Sequence, residues 1–80
     1  AIRDNPSSAT ESDYASAGYV GVNSTNLSAI NTAIAALLTT KPNATAEDIQ
    51  NTIDGIIQDA QQAIRDNPSS ATESDYASAG

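Results

Sequence analysis

Carboxylates are the most abundant chemically capable side chains in this sequence: ten Asp and Glu stand against three Lys and Arg, for a formal charge of −7. The densest group is Asp4, Glu11 and Asp13, which returns as Asp66, Glu73 and Asp75. With Asn5, Ser7 and Ser8 beside it, this group could in principle hold Ca²⁺ at a joint. Calcium asks for about six to eight oxygens, and the spacing of an EF-hand loop is absent. Helix capping and the helix dipole account for the same residues, so no metal ligand is assigned. Glu47 and Asp48 form the other acidic pair. Neighbouring positions on a helix do not face each other, which argues against shared acid–base work and for a capping role.

The missing side chains exclude more. There is no Cys and no His, which closes zinc and iron–sulfur ligation, thiol chemistry and the Ser-His-Asp triad. No catalytic or cofactor-binding residue is assigned, and the chain is expected not to be an enzyme. Three basic residues leave no electrostatic footprint for nucleic acid or anionic lipid. The longest apolar run, Ala33 to Leu38, falls far short of the roughly 20 residues of a membrane span, so no membrane insertion is expected. No basic, apolar leader opens the sequence, and an export signal is expected outside it. Three Asn-x-Ser/Thr triplets begin at Asn23, Asn26 and Asn43. All three sit at helix starts, where Asn, Ser and Thr are wanted as caps.

The elements that must position these groups follow from a repeat. Residues 1–18, AIRDNPSSATESDYASAG, recur unchanged as residues 63–80, an offset of 62. So long an identity marks a tandem array, with adjacent identical repeats as partners in the same chain. Residues 1–5 are the end of a preceding unit's third helix, 6–67 one complete repeat, and 68–80 the first helix of the next.

Within the unit, Ile49, Ile53, Ile56, Ile57, Ala60 and Ile64 keep to one stripe and predict a helix over 46–66. Thr45 is its expected cap, and Pro68 ends it. Leu27, Ile30, Ile34, Leu37 and Leu38 mark a second helix, capped by Ser24 or Thr25 and closed by Pro42. A short first helix follows a Ser8-Ala9-Thr10-Glu11 capping box, with Gly18 as its left-handed end and Tyr19 and Val20 as the cap contact. The expectation is an all-α fold: a three-helix up-down-up bundle, with a core of Tyr14, Val20, Val22, Leu27, Ile30, Ile34, Leu37, Leu38, Ile49, Ile53, Ile56, Ile57 and Ile64. Two copies then compete for one first-helix slot. The N-terminal copy is expected to win it, being tied to helix two by Tyr19–Val22, with the C-terminal copy extending into the next unit's space.

The segments Tyr14-Ala15-Ser16-Ala17-Gly18, Asn26-Leu27-Ser28-Ala29-Ile30-Asn31-Thr32-Ala33 and Thr45-Ala46-Glu47-Asp48-Ile49 resemble the GA module. That family and its relatives are three-helix beads in tandem on bacterial surface proteins, and GA modules bind serum albumin through helix two and its flanking loops. The resemblance places a possible binding surface at Thr25, Asn26, Ala29 and Ala33. It also departs from the family: neither Thr25 nor Asn26 is aromatic, helix two has no lysine before Lys41, and the net charge is acidic. The favoured function is a non-catalytic stalk or spacer repeat of an adhesin outside the cell, on a bacterial surface or wall. The alternative is a GA-like module recognising a host protein such as serum albumin.

Overall fold

In the computed structural model, which describes residues 2–79, every regular element is helical and no strand occurs among the described residues. A 3₁₀ turn at Pro6–Ser8 leads to α1 (Glu11–Ser16), α2 (Leu27–Thr40) and α3 (Ala46–Asp66). A second 3₁₀ turn at Pro68–Ser70 leads to α4 (Glu73–Ser78).

Local chemistry starts and stops these helices. Thr45 caps α3 by accepting from the Asp48 N–H, and the Asp48 carboxylate accepts in return from the Thr45 N–H. The box at α1 lies two residues later than the sequence suggested. Ser8 belongs to the 3₁₀ turn, and Thr10 pairs with Asp13. The cap of α2 is also corrected: Asn26 stands at the N-cap with no side-chain cap bond, neither Ser24 nor Thr25 caps the helix, and the Asn23 side chain accepts from the N–H groups of Thr25 and Asn26 in the turn that leads into it. After α1, Tyr19 N–H donates to the Tyr14 carbonyl and Gly18 N–H to that of Ala15, the paired bonds of a Schellman end. That geometry puts Gly18 at φ +90.

The core forms where α2 and α3, joined by the short loop 41–45, pack together and the N-terminal segment lies across them. Tyr14, Ile30, Ile34 and Ile53 are fully buried, Ile49 nearly so, and Ile2, Ala9 and Ala44 join them. Leu27, Leu37, Leu38, Ile56, Ile57, Ile64 and Val22 are half-buried. Length explains part of this. At 1.5 Å per residue α3 runs about 31 Å and α2 only about 21 Å, so the last turns of α3 project past α2. Val20 is a correction: it is 68% exposed, because its backbone N–H and carbonyl are held by the Gln50 side chain and its own side chain turns outward.

Polar groups in this core are satisfied. The Tyr14 hydroxyl donates to Asn31 Oδ1 at 2.7 Å, and Asn31 Nδ2 donates to the Ala9 carbonyl at 2.8 Å. The Tyr19 ring stands edge-on to Tyr14, with centroids 6.2 Å apart.

The C-terminal copy does not extend away from the chain. Its 3₁₀ turn and α4 fold back against the projecting part of α3. The N-terminal copy keeps the slot beside α2, and the two copies therefore occupy different environments of one molecule.

Two outcomes test this packing. Ile53→Ala or Ile34→Ala should cost about 2–5 kcal/mol in denaturant melts, enough to unfold much of so small a domain. Burial first, then the charges of Asp13 and Tyr19, push the Tyr14 phenol above its ordinary value. A raised folded value means stability is intact below the unfolded tyrosine pKa of about 10 and is lost as pH rises through the folded one. Tyr14→Phe should flatten that alkaline loss in melting curves.

Candidate functional site

The second helix and the repeated segments are where sequence reasoning places function. Of the four residues of the expected binding surface, Thr25 and Ala29 are exposed and Ala33 is half-buried. Asn26 is not a surface residue at all, at 1% exposure. Its Oδ1 accepts from the Asn23 N–H at 2.8 Å, while Nδ2 donates to the carbonyls of Gly21 and, in the C-terminal copy, Ser78. Asn26 is thus a brace between the α1–α2 loop and α4, and the recognition face implied by the family resemblance loses its second member.

Two shallow grooves flank the N-terminal copy. One, of about 380 Å³, lies between the first 3₁₀ turn and α2, with Ser7, Ser8, Ser24, Ser28 and Thr32 around Leu27. None of those side chains is ionisable, so the hydroxyls there have no adjacent base to activate them. The other, of about 530 Å³, runs beside α1 past Arg3, Asp13, Ser16, Ala17, Tyr19 and Ile49. The Arg3 guanidinium donates to the Ala44 carbonyl, tying the first residues to the α2–α3 loop.

Three of the aspartates serve as helix caps. Asp13, Asp48 and Asp75 each accept from the backbone N–H of the Thr three residues earlier. Among the described residues no group of three or more acidic side chains is placed to hold a metal ion. Glu47 and Asp48 share the first turn of α3, where negative charge meets the positive end of the helix dipole. The Thr45 backbone N–H holds the Asp48 carboxyl below the ordinary aspartate value, with help from the charge of Lys41 and the Thr45 hydroxyl.

Sequence reasoning missed the amide side chains that do the joining. Asn31 fixes the N-terminal copy, Gln50 the Val20 backbone, and Asn23, Asn26 and Gln61 the carbonyls of Ala77, Ser78 and Ala79. One signal was available: Asn31 lies between Leu27 and Ile34 at helical spacing, a polar residue on an apolar seam.

Comparison with protein-family models, with curated proteins and with solved structures finds no match to this chain. The Asp48 shift gives a test. A lowered folded value means the cap's contribution is present above the ordinary aspartate pKa, about 4, and is lost as pH falls through the lowered one. Asp48→Ala should therefore show a smaller drop in Tm between neutral and strongly acid pH than the parent chain.

Proposed function

We propose that the chain is one unit of a tandem array: a three-helix up-down-up bundle followed by the first helix of its successor. Its work is mechanical. As a non-catalytic spacer it would lengthen a stalk that carries an adhesive head away from a bacterial surface.

One observation carries this reading. From Asn5 to Ala17 and again from Asn67 to Ala79, the recurring segment adopts the same 3₁₀ turn, capping box and short helix. A segment that repeats in sequence and in conformation is what a chain of like units needs for each to hand over to the next in constant geometry. Two further features support it. The molecule is already elongated, with extents of 40 × 23 × 18 Å, and α3 supplies the long axis. The charge of −7 per chain would keep neighbouring stalks apart and soluble.

The competing reading, a GA-like module that grips a host protein, has less behind it. The expected patch holds only the small side chains of Thr25, Ala29 and Ala33 and no aromatic, while Asn26 is buried. Acidic albumin would also meet an acidic surface.

Small-angle scattering on a chain of three consecutive units tests the spacer reading. The longest dimension should grow by a near-constant increment with each added unit, and a compact particle would sink the stalk. Retention of serum albumin by the single 80-residue chain would transfer the assignment to the binding module.

A further inference from the structure

From Asn5 to Ala17 and from Asn67 to Ala79 the two copies share their backbone conformation yet are gripped on different sides. Asn5 and Asn67 have φ/ψ of −151/73 and −147/69. Thr10 and Thr72 have −110/167 and −106/168, and Ala17 and Ala79 have −81/−6 and −75/−8. The environments differ sharply. Tyr14 is fully buried, with its hydroxyl on Asn31, whereas Tyr76 is 55% exposed. The reverse holds at the other end of the helix. Ser78 and Ala79 are half-buried, whereas Ser16 and Ala17 are exposed. What covers the C-terminal copy is a set of amide donors: Asn23 Nδ2 to the Ala77 carbonyl at 2.8 Å, Asn26 Nδ2 to Ser78 at 3.3 Å and Gln61 Nε2 to Ala79 at 3.4 Å.

Each copy therefore displays one half of a two-sided contact. We propose that, where units follow one another, every copy of the segment is held from both sides at once. Its tyrosine side lies in the core of its own unit, and its last-turn carbonyls are held by Asn23, Asn26 and Gln61 of the unit before. The occupant of the groove beside Ser16 and Ala17 is thus another copy of this chain's own residues 19–66, and the junction is a fixed joint. Geometry allows this because the two grips touch largely different residues of one short helix, Tyr14 on one side and Ser16 and Ala17 on the other. The 3₁₀ turn, begun by Pro6 or Pro68, has nearly the same cap dihedrals in both copies. The inference rests on the tandem reading above and adds to it that the joint does not bend.

The test compares the 80-residue chain with one in which residues 19–80 follow a second time. Nitroxide labels are placed at the exposed α2 residue Ala36, as Ala36→Cys, in both units, and the distance is read by pulsed dipolar spectroscopy. A single narrow distance is expected, together with protection from solvent of the Tyr76 ring that the shorter chain lacks. Asn23→Asp with Gln61→Glu in the first unit should at least double the width of that distribution. The aspartate keeps the oxygen that accepts from Thr25 and Asn26 and loses only the donor to Ala77. Gln61→Ala alone, at an exposed helix position, should broaden it less and leaves the turn before α2 untouched. A broad distribution in the parent, or a width unchanged in the variants, overturns the proposal. Scattering on the same chains separates the two readings: a long particle with a broad distance keeps the spacer and removes the fixed joint. A compact particle with a narrow distance does the opposite.

Discussion

Asn31 holds the structure together in a way no apolar residue could. The N-terminal segment reaches the core as a 3₁₀ turn and a helix of six residues, too short to persist by itself. Apolar burial of Ala9 and Tyr14 presses it onto α2, but burial alone has no direction. Asn31 supplies direction by accepting from the tyrosine hydroxyl and donating to the Ala9 carbonyl, so that one side chain fixes both ends of the segment. With both partners satisfied, a polar residue at 8% exposure is tolerated among isoleucines. Position of the segment then determines the Schellman turn, the path of residues 19–26 and the amide donors that this loop offers to α4.

The same sequence in two places is an internal control on what is local and what is tertiary. Capping boxes, 3₁₀ turns and cap dihedrals are reproduced at both ends, so they are properties of the segment itself. Burial is not reproduced. Tyr14 and Tyr76 share every neighbour in sequence from thirteen residues before them to four after, and only one of them meets an Asn31. A residue type thus predicts its cap and its turn, while its place in the core is decided by what the rest of the chain brings to it.

That division also explains what could be read from the amino acids alone. The span of α3 was legible to the residue because Thr45, the isoleucine stripe and Pro68 all speak through local rules. The apolar stripe of α2 likewise pointed to Ile30 and Ile34, which are buried. The outward turn of Val20 was not legible, since it depends on Gln50, thirty residues away, holding its backbone. Nor was the burial of Asn26, which the family resemblance placed on a binding surface. The fold-back of α4 had the same cause: donors on a loop and on α3 find carbonyls that only tertiary proximity brings within reach.

Apart from Arg3 on the Ala44 carbonyl, the long-range polar bonds described above are made by Tyr14 and by neutral asparagine and glutamine side chains. Bonds between uncharged groups are barely touched by dissolved ions, whereas exposed ion pairs fade within a Debye length of about 8 Å at 0.15 M. Those bonds, and with them the seating of both copies of the segment, are therefore insensitive to the ionic strength of the medium.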